Sequence, residues 1–329
     1  MTGAAHQTFY GQISANKRQS LLLALIVAGL LGGLAFLIGF GVTGRAVSAI
    51  PIVAVVVVIS LLLALISLYA GDGLVLAASQ AKEVSEEQAP QLINVVRELA
   101  LAANVPMPKV YIIDDSAPNA FATGRDPKHA SVAITSGLLD KLDREELQGV
   151  IGHELSHVRN YDIRFTLMVG VLVGSVALLA DMFLRFTFWG GGRSSSRSSR
   201  DSGGGGLQAV VFVLALVLAI LAPIAARLVQ LSVSRQREYL ADASSVELTR
   251  NPIGLERALL KIAGDQEVLE VANRATQHLY IVNPIKKFEQ RASGLFSTHP
   301  PTIERVNRLR ALSGERPLDT DDPALSALD

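Results

Sequence analysis

The sequence predicts an α+β fold. Four membrane-spanning helices, paired as two hairpins, carry a mostly helical soluble domain with a small β-sheet, and that domain is assembled from two chain segments. Three observations predict this: apolar runs long enough to cross a bilayer, polar stretches after the second and fourth run, and alternation of helical and strand-like periodicity within those stretches. Half of the 329 residues are hydrophobic, only 18% are charged and the mean hydropathy is +0.36, with Leu, Val, Ala and Ile gathered into long runs. The 30 basic and 30 acidic residues cancel, so no global field draws nucleic acid. Cysteine is absent, which excludes disulfides, thiolate metal sites and cysteine nucleophiles and leaves any metal to His and carboxylates.

The elements follow in chain order. Residues 1–71 form the N-terminal segment and first hairpin, with spans at about 21–42 and 50–70. Lys17 and Arg18 precede the first run and "AVSA" at 46–49 resembles a cleavage site, but the run is too long for a signal peptide core and a second span follows at once. It reads as a retained helix. Gly29 and Gly33 have the spacing for a close helix approach, although so Gly-rich a span accounts for them by composition. Residues 72–162 are the first soluble segment and 163–231 the second hairpin, with spans at about 163–188 and 207–231 around a Gly/Ser-rich loop at 190–206 that reads as disordered linker. Residues 232–329 are the second soluble segment.

Two hairpins place both soluble segments on one side. Lys17, Arg18, Lys82, Arg159, Arg164, Arg227, Arg235 and Arg237 flank the spans there, so the basic excess puts that side in the cytoplasm, against the dissent of Arg193, Arg197 and Arg200 in the Gly/Ser loop.

Within the first soluble segment, Leu92, Val95, Val96, Leu99 and Ala103 recur at helical spacing over 86–103. "PKVYIID" at 108–114 alternates as a strand, and "NAFATG" and "HASVAITSGLL" read as two more. A helix then starts at Asp143, an N-cap with Glu146 three residues on and with Leu142 and Leu147 placed as a hydrophobic staple.

That helix carries "GHELSHVRNYD". His153 and His157, four apart, share one helical face and can offer two imidazole nitrogens to one zinc ion. Glu154, beside the first of them, is placed to act as general base toward a water activated by the metal. Five residues with three fixed are a weak pattern alone, but two of only six histidines fall at ligand spacing beside apolar Val150, Ile151, Leu155 and Val158. A catalytic zinc takes three protein ligands and an open position. "SRQREYLADASSVEL", after the fourth span, offers Glu238 as the third ligand and Asp242, one turn on, as a carboxylate to hold the far nitrogen of a ligand histidine. Taken alone, such an acidic pair reads as a solvated helix face.

"GHELSHVRNYD", "SRQREYLADASS", "PNAFATG" and "FSTHPPTIERVNRL" together resemble the HtpX membrane zinc metalloproteases, a branch of the HExxH peptidases that includes the CAAX prenyl-protein endopeptidase. The resemblance extends over nearly the whole chain and implies a zincin-type catalytic domain. It implies zinc ligands at His153, His157 and Glu238, one zinc ion per subunit, a general base at Glu154 and a supporting carboxylate at Asp242. His299 and Arg305 match positions near the substrate carbonyl, where they could donate to the oxyanion; the alternative is that His299 opens a Pro-capped helix and Arg305 makes a structural ion pair. Asn119, Ala120, Phe121, Ala122, Thr123 and Gly124 would hold an extended substrate along an edge strand, where the residues alone suggest an ordinary sheet strand.

The expected function is therefore a zinc-dependent endopeptidase, multi-pass in the inner membrane with its site facing the cytoplasm, acting in stress response and protein quality control. Its partners would be the lipid bilayer and polypeptide substrates, above all misfolded or damaged membrane proteins. Three other readings compete. Intramembrane proteolysis conflicts with the charges of "DREELQGVIGHELSHVRNYD". Processing of prenylated C-termini calls for a larger membrane chamber. A zinc-binding membrane scaffold without protease activity would need a closed site, with His129 or His278 as a fourth ligand.

Overall fold

The computed structural model describes residues 45–167, 235–265, 267, 269, 280–281 and 300–318, together with 213 and the positions 25, 29, 31–33, 35–37, 39 and 40. Two compact units divide the chain. The first comprises 1–17, 68–167 and 231–329, and the second 18–67 and 168–230.

Helix α1 runs unbroken from Ala46 to Ala78. Val47, Ile50, Val55, Val58, Leu61, Leu65 and Tyr69 are all exposed along it. No unbroken run of described residues is by itself long and apolar enough to cross a membrane. In the second unit the helical residue Gly32 faces Val53 and Val57, whereas Gly29 and Gly33 face open space, so the close approach occurs one position away from the pair with the suggestive spacing. Most of the first span, the second hairpin beyond residue 167 except Val213, and the Gly/Ser loop lie outside the described residues.

In the first unit a four-stranded sheet has the order β1-β2-β4-β3, with β1 at Lys82–Glu83, β2 at Lys109–Ile113, β3 at Ala120–Gly124 and β4 at Ala130–Thr135. β2 and β4 are parallel, and β3 folds back antiparallel on β4 with Ala120 opposite Ile134. The "HASVAITSGLL" run divides: its strand ends at Thr135, whose side chain caps a short helix α3, Ser136–Lys141. Helix α2 spans Pro90–Ala102 and α4 Arg144–Arg159. Residues 162–167 are helical as well, and a helix over 235–249 (α5), then α6, Pro252–Gly264, and α7, Thr302–Ser313, follow in the unit.

Alternation along the strands sorts residues between two faces. Val110, Ala120, Ala122, Val132 and Ile134 turn toward α2 and α4, where Leu92, Val95, Val96, Val150, Ile151 and Leu155 are buried, and the same core continues into α6 and α7. Burying each such side chain is worth about 1.5–3 kcal/mol. Ile113, Phe121 and Ala133 take the other face, against Leu76, Leu269 and Tyr280. The sheet is thus closed on both sides, with β3 at its edge beside the helix that bears the histidines.

Candidate metal and active site

The capping box read from the sequence sets the start of α4: Asp143 Oδ1 accepts from the Glu146 amide and Glu146 Oε2 from the Asp143 amide, both at 2.9 Å. Leu142 and Leu147 are buried beside it. With the start fixed, His153, Glu154 and His157 fall on the faces turned inward, and His153 and Glu154 are each 1% exposed.

Glycine lets the partner helices reach that face. A Cβ on Gly149 would stand 2.5 Å from the Leu255 backbone nitrogen of α6, and one on Gly152 would stand 2.8 Å from Ser245 Oγ of α5. Ser245 instead donates to the Gly149 carbonyl at 2.7 Å. Ser245 lies seven residues after Glu238 and three after Asp242, so this contact puts both carboxylates on the side of α5 that meets α4.

His153 Nε2 and His157 Nε2 lie 3.2 Å apart, with the rings nearly perpendicular. Glu238 Oε2 is 3.6 Å from the first and Oε1 is 3.5 Å from the second. Each histidine is held from behind: His153 Nδ1 meets Asp242 Oδ1 at 2.9 Å, and His157 Nδ1 meets Asp162 Oδ2 at 3.1 Å. Each of those carboxylates is gripped by an arginine. Arg305 donates through Nε and Nη2 to Asp242, and Arg237 Nη1 donates to Asp162 Oδ1 at 2.9 Å.

The electrostatics follow from this burial. Burial drives the Glu154 carboxyl above its usual range; the two histidines pull it back only in part and Glu238 adds to the rise. The backbone of Ala122 hydrogen-bonds to Glu154, while Oε1 has no hydrogen-bond partner among the described residues. Burial opposes the charged form of His157, but the hydrogen bond it donates to Asp162 and the charges of Glu238, Asp162 and Glu154 outweigh it and lift the imidazole to about 9. Burial likewise opposes ionisation of Asp242, and Arg305 overrides it, leaving that carboxyl below its ordinary value.

These residues fit a divalent zinc ion on their own geometry. With both Nδ1 atoms donating to carboxylates, both Nε2 atoms present lone pairs, and two lone pairs and a carboxylate converge on one point. Tetrahedral zinc with bonds of about 2.0–2.1 Å places ligand atoms roughly 3.3–3.5 Å apart, close to the separations found. His153, His157 and Glu238 form the one group of this kind among the described residues.

The structure also places the other expected residues. Arg305 is 1% exposed; besides its two bonds to Asp242 it donates through Nη1 to the Ile281 carbonyl at 2.9 Å and stands 3.6 Å from Glu238 Oε2. The ion pair anticipated as the alternative is thus present, and an oxyanion role would require exchanging one carbonyl for another. His299 and His278 lie outside the described residues. His129 is engaged by Asp126 and Arg125, away from the cluster. Just before β3, Asn119 turns its Oδ1 back onto the Ala120 amide, which donates to it. Because the Thr135 amide donates to the Asn119 carbonyl, Ala120 and Ala122 direct their backbone groups outward, and the Ala120 carbonyl accepts from the Ile281 amide at 2.9 Å. Sequence reasoning missed Asp162 and Ile281 and saw Arg237 only as a basic residue beside a span. Asp162 is five residues past His157, beyond the helix end, where no facing rule applies; its one signal was its place in "NYD" directly after the motif.

The sequence model of peptidase family M48 matches residues 86–313, which includes every residue of this cluster. The chain belongs to peptidase family M48. It is a protease of that family, and bacterial relatives match it nearly end to end. The protease HtpX homolog of Listeria monocytogenes serotype 4a (strain HCC23) is 45% identical over 306 residues, covering 91% of this chain and 98% of the relative. The homologs of Ligilactobacillus salivarius (strain UCC118) and Streptococcus thermophilus (strain ATCC BAA-250 / LMG 18311) are each 45% identical, over 303 and 304 residues, covering 91% and 92% of this chain and 98% and 99% of theirs. Among solved structures, Ste24p of S. mikatae is similar with a TM-score of 0.48 and 17% identity, over 90% of this chain and 67% of that one.

Proposed function

We propose that this M48 protease is a membrane-anchored, zinc-dependent endopeptidase that hydrolyses peptide bonds of misfolded or damaged membrane proteins on the cytoplasmic side. The observation that carries this reading is the convergence of His153 Nε2, His157 Nε2 and the Glu238 carboxylate beside a buried, partly unsatisfied Glu154.

In this reading one zinc ion per chain is held by His153, His157 and Glu238. When bound, zinc supplies a Lewis acid that polarises the scissile carbonyl and lowers the pKa of water to about 7. Glu154, buried beside the three ligands, takes the proton of the attacking water and passes it to the leaving amine. Asp242 fixes the tautomer of His153, and Arg305 holds Asp242 in place. Residues Asn119–Gly124 are the candidate seat for an extended substrate, which would take the place of Ile281 at the Ala120 carbonyl and of Glu154 at the Ala122 backbone. His299 and Arg305 are the candidate oxyanion donors.

The membrane reading rests on the apolar surface of α1. Its C-terminal end is fastened to the catalytic unit, since Leu76 is buried against the face of the sheet that carries Phe121. The second hairpin and the cytoplasmic orientation follow from the hydropathy and the flanking basic residues.

The test is cleavage of an unfolded polypeptide by the purified full chain, with metal content measured on the same samples. Cleavage should require zinc, and Glu154→Gln should abolish it while retaining the metal. Undiminished cleavage by that variant would sink the mechanism.

A further inference from the structure

The two ligand histidines are held by matching relays, and only one of them was foreseen. His153 is backed by Asp242 and Arg305, and His157 by Asp162 and Arg237. We infer that Asp162 and Arg237 are a positioning pair that sets His157 relative to Glu238, and so determines zinc affinity, independently of the relay behind His153. The inference rests on the zinc reading given above.

Three observations support it. First, the pair joins the two chain segments at the metal itself. Asp162 follows α4 and holds the second histidine, while Arg237 is the residue before Glu238, so the 2.9 Å Arg237–Asp162 bond fixes the spacing of two ligands that no shared helix can fix. Second, both residues are buried, Asp162 at 2% exposed and Arg237 at 8%, and the Arg237 guanidinium lies 3.6 Å from the centre of the Phe165 ring. That stacking holds the fork flat and limits the positions open to Asp162. Third, the backbone is bent to deliver Asp162. Tyr161 has φ 62°, the left-handed region a bulky side chain avoids, and this turn brings Asp162 back onto His157 after α4 has ended. Strain of that kind persists where the surroundings over-determine it.

Removing the carboxylate behind a ligand histidine typically weakens metal binding about 10- to 100-fold. Asp162→Asn leaves one acceptor for two donors, so it should weaken zinc binding within that range. Arg237→Met should weaken it similarly, and Arg237→Lys should recover part of the loss. The measurement is zinc affinity of the full-length chain in detergent, by competition with a chromogenic chelator, with the melting temperature of the metal-free form and the visible spectrum of the cobalt-loaded form on each sample. A positioning role lowers zinc affinity and alters the cobalt spectrum of the folded protein, on top of the lower metal-free melting temperature that breaking a buried ion pair brings by itself. Zinc affinity of Asp162→Asn within twofold of the parent overturns the inference. If that variant does not fold, Arg237→Met and Arg237→Lys decide on the same criterion. Failure of the parent itself to bind zinc would instead overturn the proposed function. Independence is read from Asp162→Asn combined with Asp242→Asn, whose losses should multiply; a double variant no weaker than the worse single one would show that the two relays act as a unit.

Discussion

Arg305 grips Asp242 with two hydrogen bonds, Nε to Oδ2 at 2.9 Å and Nη2 to Oδ1 at 2.7 Å, at a depth where Arg305 is 1% and Asp242 3% exposed. A buried pair of this kind adds little net stability over an apolar pair, but leaving one partner alone costs about 3–5 kcal/mol. Arg305→Met should therefore lower the melting temperature of the metal-free protein sharply. Asp242→Asn combined with Arg305→Met should lower it less than Arg305→Met alone, because no charge is then stranded. Equal melting temperatures for the two would refute the pairing as the source of the loss.

The metal-free protein should become less stable as pH rises above neutrality. His157 is raised from 6.5 to about 9 in the folded chain, so the stability it contributes is complete below pH 6.5 and is lost as pH rises through 9. At 1.36 kcal/mol per unit the change is on the order of 3 kcal/mol. Glu154, raised by burial, acts with the same sign from pH 4.5 upward. Zinc binding requires His157 neutral, so the zinc-loaded form should show a flatter profile. Melting curves from pH 6 to 9.5 with and without metal test this; parallel profiles would contradict it.

Gly149→Ala should be more damaging than a single methyl suggests. The added carbon would stand 2.5 Å from the Leu255 backbone nitrogen, and backbone cannot swing aside as a side chain can. Forcing α6 from α4 should cost about 1–3 kcal/mol or more. It should also shift the Ser245 contact that registers α5, and so reduce zinc affinity. Unchanged affinity alongside a lowered melting temperature would confine the effect to packing.

Asp143→Ala provides the contrasting case. Loss of the N-cap of α4 removes the bond to the Glu146 amide and should cost about 1 kcal/mol. The site lies more than two turns along the helix, so metal affinity measured by chelator competition should not move. A large change there would mean that the start of α4 governs the ligand spacing directly.

The part of the site that was legible in the sequence is the part a helix makes periodic. His153 and His157, and likewise Glu238 and Asp242, are four apart, and helical geometry alone puts each pair on one face. The start of α4 was legible because Asp143, Glu146, Leu142 and Leu147 are local signals for one boundary. The strands of the sheet were legible from alternation, but not the parallel pairing of β2 with β4 or the two-residue strand β1, which depend on contacts distant in sequence. Asp162 escaped because its position depends on the left-handed turn at Tyr161, a residue with no preference for that conformation. Arg237 escaped because a basic residue beside an apolar run already has a sufficient explanation. Ile281 escaped for a third reason: its amide and carbonyl, not its side chain, meet Ala120 and Arg305, and backbone groups leave no mark in a sequence.

The separation of His157 from Glu238 along the chain has a consequence for how the protein comes into being. A ribosome that has delivered both histidines has not yet made the third ligand, and the stretch from residue 158 to 237 must be synthesised before Glu238 exists. Hydrolytic competence therefore arrives late, after the chain between the halves is in place, and a truncated product carries the motif without the means to use it. Zinc bound by His153, His157 and Glu238, as proposed, would act as a cross-link. Holding the ends of a loop of roughly 80 residues together costs the free chain about 4 kcal/mol of closure entropy, and the bound ion meets that cost for as long as it stays. Chelation should then loosen the joint between the two halves before it unravels either one.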